Sequence, residues 1–155
     1  MPVTPEQLKR FGIFSQIPTD ILKPVSDVVK VVNFPEQSVI FNEGSAGDRM
    51  YFLEKGQVRI SKFISGIGEE ALSILNEGSY FGEMSLIDAY PRSATAIAHT
   101  DCVLFEIYRE DFVDMLQSDR DLAYFVMWAL LKTLSQRLRE TNDKLKAFFA
   151  MAGGF

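Results

Sequence analysis

Apolar positions change their period twice along this chain. Between Thr4 and Val29 they recur at helical spacing, with Leu8 and Phe11 in a first short helix and Ile21, Leu22 and Val25 in a second. Thr4-Pro5-Glu6-Gln7 combines an N-cap, a proline at the first helical position and a Gln three residues on, the signature of a capping box. Thr19-Asp20 is expected to cap the second helix, and Pro24 to limit its length, because proline lacks the N–H the next turn needs. From Lys30 to Ile107 the pattern becomes short apolar runs: Val31-Val32, Ser38–Phe41, Met50–Leu53, Gln57–Phe63, Glu70–Leu75, Ala94–Ala98 and Val103–Ile107. These read as seven or more strands, punctuated by turns at Gly44, Gly47, Gly56, Gly66, Gly68 and Gly78. Strands so short and closely spaced predict an antiparallel sandwich or jelly roll rather than parallel β/α units.

The helical period then returns. Glu110–Gln117 reads as a short helix, and Ser118 or Asp119 caps a long one running to about Phe149 and stopping near Gly153-Gly154. At 1.5 Å per residue the long helix extends about 45 Å, more than one small domain covers. Tyr124, Met127, Leu131, Leu134, Leu138, Thr141, Leu145 and Phe148 alternate in steps of three and four. That is a coiled-coil seam, flanked in its second half by Lys132, Arg137, Arg139, Glu140, Asp143, Lys144 and Lys146, and it predicts a homodimer through this helix. The chain is therefore read as one domain, 1–155: N-terminal helices over 1–29, a β-roll over 30–109, and the short and long helices over 110–149.

Composition narrows the chemistry. At 155 residues, 47% apolar and 24% charged, the chain can bury a core without covalent staples, and thirteen Phe mark that core as rich in rings. A net charge of −5 argues against a basic nucleic-acid coat, so an anionic ligand has to be held by local donors. One Cys, Cys102, and one His, His99, exclude a disulfide framework, a thiolate zinc site and a polyhistidine metal centre from a single chain. No apolar run reaches the ~18 residues of a membrane span and the start lacks a signal-peptide pattern, which predicts a soluble, cytoplasmic protein.

One segment, Tyr80–Ala96, interrupts two strands with far more residues than a hairpin needs. Gly82 permits close backbone approach, and Glu83–Asp88 can form one or two helical turns whose first N–H groups suit a phosphate. Pro91 fixes the exit, Arg92 offers a planar fork for two oxygens, and Glu83 is an acceptor suited to a ribose hydroxyl. Residues alone predict an anion site, of a kind that suits a sugar phosphate.

Phe81-Gly82-Glu83-Met84-Ser85-Leu86, a short gap, then Pro91-Arg92-Ser93-Ala94-Thr95 resembles the phosphate-binding cassette of cyclic-nucleotide-binding domains, spanning 81–94 here. That family includes bacterial cyclic AMP receptor proteins and the regulatory subunits of cyclic AMP-dependent kinase. The resemblance extends over nearly the whole chain, through Phe41-Asn42-Glu43-Gly44, Asp48–Phe52, Gly56–Ile60 and Leu75–Gly78. It implies that Glu83 binds the ribose 2′-hydroxyl, that Arg92 binds the exocyclic phosphate oxygens with help from Ser93, and that Gly82, Met84 and Ser85 form the backbone cradle. Arg137–Lys144 resembles the stretch of the long helix where a polar pair meets adenine, one of the two reaching from the partner subunit, which places Thr141 and Asn142 at that pair. Asn can match both the donor and the acceptor of an adenine edge, favouring cyclic AMP, while the Ser93 hydroxyl leaves cyclic GMP open.

The expectation is a non-enzymatic cyclic-nucleotide sensor without a metal, acting on an unknown downstream protein. The alternative is the ligand-binding half of a receptor-type transcription regulator, whose helix-turn-helix would follow the long helix; the chain runs only six residues past Phe149, so direct DNA binding is not expected. Metal-dependent enzymes of jelly-roll form need several converging His and carboxylates, and His99 stands alone. Ser93, His99 and Asp101 do not make a triad, since strand neighbours face opposite ways; His99 is expected in water at a strand end and Cys102 as a small packed residue. For a haem-sensing variant, His99 and Cys102 are weak axial ligands.

Overall fold

The computed structural model describes residues 1–153. Its first helix, α1 (Pro5–Leu8), starts as the capping box requires: the Thr4 hydroxyl accepts from the Gln7 amide at 3.2 Å, and the Gln7 side chain accepts from the Thr4 amide at 2.9 Å. The second, α2 (Thr19–Val28), departs from expectation at both points. Pro18 is the N-cap and Thr19 is already helical, and the helix runs through Pro24. Pro24 faces solvent while Leu22, Val25 and Ser26 are buried, so burial of that face offsets the missing hydrogen bond.

Eight strands follow, in two four-stranded antiparallel sheets: β1 (Lys30–Phe34), β2 (Val39–Phe41), β3 (Arg49–Lys55), β4 (Val58–Ile64), β5 (Gly68–Leu75), β6 (Tyr80–Phe81), β7 (Thr95–Ala98) and β8 (Cys102–Tyr108). One sheet has the order β1-β8-β3-β6 and the other β2-β7-β4-β5. The unforeseen strand is β6, two residues long, pairing Phe81 with Tyr51 and Tyr80 with Phe52. Between β6 and β7 lies α3 (Met84–Asp88), ended by Ala89 in the left-handed region at φ 56°.

β3 is buried on both faces, and its side chains divide between two cores. Met50 and Phe52 join Leu8, Phe11, Phe14, Leu22, Phe105, Ile107 and Phe112 under the helices. Tyr51 and Leu53 join Val58, Phe81, Ala96, Ala98, Cys102 and Leu104 between the sheets. Phe52 anchors the first core, its ring 5.2 Å from Phe11 and 5.1 Å from Phe14.

The last two helices are α4 (Arg109–Ser118) and α5 (Arg120–Met151), with the Asp119 carboxylate capping α5 by accepting from the Asp121 and Leu122 amides at 3.0 Å. Along its 32 residues α5 buries Leu122, Val126 and Leu130, then leaves the core. The seam faces solvent: Tyr124, Met127, Leu131, Leu138, Leu145 and Phe148 are all more than half exposed. Gly153 adopts φ 90° beyond the helix; Gly154, expected to share in stopping it, lies outside the described residues.

Candidate functional site

The β6–α3 connection, the loop between β2 and β3, and one face of α5 converge on the segment 81–94. Arg92 is only 5% exposed, and its main chain is stitched to the β2–β3 loop: its N–H donates to the Ser45 carbonyl at 2.9 Å and its carbonyl accepts from Gly44 at 2.8 Å. Its guanidinium donates to the Arg49 carbonyl at 2.6 Å, the Gly82 carbonyl at 3.3 Å and Ser85 Oγ at 3.4 Å. The guanidinium carbon lies 4.1 Å from the Phe41 ring centroid, a cation–π contact over a ring that stacks on Tyr51. Burial is the first cause of a pKa below the ordinary arginine value, with Tyr51 and Asp48 acting in the opposite direction.

Two glycines make this close packing feasible. A Cβ on Gly82 would stand 2.6 Å from Arg92 Nη1, and its φ of +81° suits glycine as well. A Cβ on Gly47 would run into the Ser85 hydroxyl, so the β2–β3 loop reaches the cassette only without a side chain there.

Glu83, the N-cap of α3, is 1% exposed. Its Oε1 accepts a hydrogen bond from Arg137 Nη1 of α5, and Arg137 Nη2 also donates to the Tyr80 carbonyl at 3.2 Å. The Tyr80 hydroxyl and Thr133 share a further hydrogen bond, so β6 ties α5 at two successive turns. Glu83 Oε2 and Arg92 Nε are both enclosed without a hydrogen-bond partner. A buried acceptor and a buried donor without partners on one short segment are the polar complement of a ligand carrying a hydroxyl and an anionic oxygen.

The structure thus gathers Gly82, Glu83, Ser85 and Arg92, with Met84 and Ser93 at the rim, both exposed and joined by a long Ser93 Oγ–Met84 Sδ contact of 4.0 Å. Thr141 and Asn142 are exposed on α5; Thr141 Oγ1 donates to the Arg137 carbonyl at 2.8 Å, and neither residue hydrogen-bonds the cassette within the chain. Arg137 makes that contact instead, a residue expected among the seam's flanking charges and at the start of the Arg137–Lys144 stretch but not as a site residue. Its signal was available: Leu122, Val126, Leu130, Thr133 and Arg137 step by four, four, three and four, continuing the buried face of α5 rather than the seam.

The other candidates are separately engaged. Asp101 accepts from the Glu36 amide at 2.8 Å, and Cys102 is packed at 3% exposure with Sγ donating to the Gln57 carbonyl at 3.1 Å. His99 is half-buried rather than in water, with Nδ1 enclosed. Among the described residues no cluster of three or more His, Cys, Asp or Glu is placed to hold a metal, and no helix is long and apolar enough to cross a membrane.

Residues 31–119 match the family model of the cyclic nucleotide-binding domain. This chain belongs to that family. It is 29% identical over 140 residues to the CRP-like cAMP-activated global transcriptional regulator of Mycobacterium tuberculosis, covering 90% of this chain and 61% of that one. It is 35% identical over 112 residues to the cyclic AMP receptor protein of Thermus thermophilus, covering 72% of this chain and 50% of that one. The chain thus spans about half to three-fifths of these relatives. A cyclic nucleotide-binding domain from Methylobacillus flagellatus shares the fold with a TM-score of 0.83 at 23% identity, covering 95% of this chain and 86% of that one. The matched family span ends at the α5 cap, so Arg137, Thr141 and Asn142 lie outside it.

Proposed function

We propose that this domain, taken as 1–155, is a non-catalytic sensor that binds cyclic AMP, with cyclic GMP as the competing ligand, and passes its occupancy to α5. The observation that carries the reading is the pair of open buried atoms, Glu83 Oε2 and Arg92 Nε. A ribose hydroxyl donates to the first and a phosphate oxygen accepts from the second, while Gly82, Met84 and Ser85 supply the backbone cradle and Ser93 a further donor. Thr141 and Asn142 meet the base, one of them reaching from the second subunit of a homodimer. No metal takes part. The names of these relatives, a transcriptional regulator and a receptor protein, support a regulatory rather than a catalytic role; a cytoplasmic place and a downstream partner protein belong to the proposal.

Coupling follows from one shared carboxylate. Glu83 offers Oε1 to Arg137 and Oε2 to the ligand, so ligand binding acts on the same carboxylate that holds the distal half of α5. A ligand shifts the helix only as far as it binds the two helix positions differently. The alternative reading, the sensor half of a receptor-type transcription regulator, fits the same relatives without being favoured over the first.

Arg92→Ala tests the site. Calorimetry on ligand-stripped protein should show cyclic AMP affinity falling about a hundredfold or more, as expected for losing more than one charge-assisted hydrogen bond. An unchanged affinity would place the ligand elsewhere.

A further inference from the structure

Next to Arg92 lies a set of charges that the binding scheme does not use. The shortest bond of the Arg92 guanidinium goes to the Arg49 carbonyl, at 2.6 Å. The Arg49 side chain is held at all three of its nitrogens: Nε and Nη2 donate to Asp48 at 2.9 and 3.0 Å, and Nη1 donates to Glu106 at 3.2 Å. Its plane also lies over the Tyr108 ring, 4.5 Å from the centroid. Glu106 is 5% exposed, and among the described residues its ion-pair partner is Arg49. A carboxylate buried this deeply persists only because that guanidinium compensates it. The phenol of Tyr51 stands within electrostatic reach of Arg49, Glu106, Arg92 and Asp48 together, and burial pushes its pKa up to about 12, so it adds no charge at neutral pH.

The arrangement has a consequence for the ligand. Apart from the mutually compensating Glu83–Arg137 pair, two carboxylates and one guanidinium sit beside Arg92, a surplus of one negative charge. Because Glu106 and Asp48 occupy Arg49 and Glu83 occupies Arg137, Arg92 is the cation of the site without a carboxylate ion-pair partner among the described residues. We propose that Glu106, through Arg49, is a specificity-determining residue that tunes the anion site to a singly charged phosphodiester and against a doubly charged phosphomonoester. The inference rests on the cyclic-nucleotide reading above and adds a charge filter to it.

The test is titration of ligand-stripped protein with cyclic AMP and with adenosine 5′-monophosphate at pH 8, where the monoester carries close to two charges because its second pKa is about 6. Glu106→Gln is expected to raise the affinity for the monophosphate relative to cyclic AMP about three- to tenfold at low salt, the size of one unit charge felt across the site. The gain should shrink in 0.5 M salt, and Glu106→Asp should keep the wild-type ratio. A purely structural Glu106 predicts instead that both affinities fall together with the ratio unmoved, which overturns the proposal. Should Glu106→Gln fail to fold, Asp48→Asn removes the exposed acid of the same set and must move the ratio the same way; an unmoved ratio there also overturns it. A wild type that binds neither nucleotide overturns the cyclic-nucleotide reading and this inference with it, whereas binding of cyclic AMP with unmoved ratios overturns this inference alone.

Discussion

At the scale of single residues, the site is a place where charges are buried and then only partly compensated. Glu83 and Arg92 are almost fully enclosed, and each keeps one polar atom open. Asp48, beside them, shows the opposite balance: its hydrogen bonds from Arg49 hold its carboxyl below the usual 3.8. A carboxylate depressed in the folded state stabilises fully above its unfolded pKa and loses that contribution as pH falls through the folded value. Wild type should therefore melt higher than Asp48→Asn near neutral pH, and the difference should shrink as pH falls through the depressed folded value. Melting curves from neutral to strongly acidic pH check it; a difference that does not shrink on acidification would mean that Asp48 acts through something other than its charge. Glu83, Arg92 and Gly82 were legible in the sequence because their residue types carry the chemistry directly. Arg49 and Glu106 were not: they sit 57 positions apart and meet only because β3 pairs with β8.

At the scale of elements, α5 has two halves held by different forces. As far as Leu130 it is anchored by apolar burial; beyond that, its named ties to the domain are Thr133 to Tyr80, Arg137 to Glu83 and Tyr80, and Lys144 to the Leu72 carbonyl at 3.4 Å. Polar tethers exchange partners at lower cost than a core repacks, which favours the distal half as the part that the proposed switch moves. Thr141 and Asn142 lie on that half, exposed. Replacing both by Ala should narrow the preference for cyclic AMP over cyclic GMP about tenfold, read from competition titrations, since each lost hydrogen bond is worth about 0.5–1.5 kcal/mol. An unaltered ratio would remove α5 from base recognition. Most elements were legible from periodicity alone, and the exceptions have local causes. β6 escaped notice because two residues show no period, and α2 outran Pro24 because tertiary burial overrode a local penalty.

At the scale of the whole molecule, the two sheets and the helical layer account for nearly every buried apolar side chain, yet the α5 seam remains uncovered. The three-four spacing that marks the seam in the sequence is the spacing a second copy needs, and the helix's own domain uses a different face. Sedimentation at micromolar concentration should give a dimeric mass for wild type. Leu131→Glu with Leu138→Glu should give a monomer of unchanged circular dichroism, because both side chains are already exposed within the chain. A monomeric wild type, with and without nucleotide, contradicts the dimer.

The central claim is that the open pair of Glu83 and Arg92 binds a cyclic nucleotide, and isothermal titration of ligand-stripped protein with cyclic AMP tests it most directly. The account predicts a saturable heat near one ligand per chain. No heat at high micromolar cyclic AMP or cyclic GMP would contradict it, leaving the family fold in place with a cleft that serves another anion.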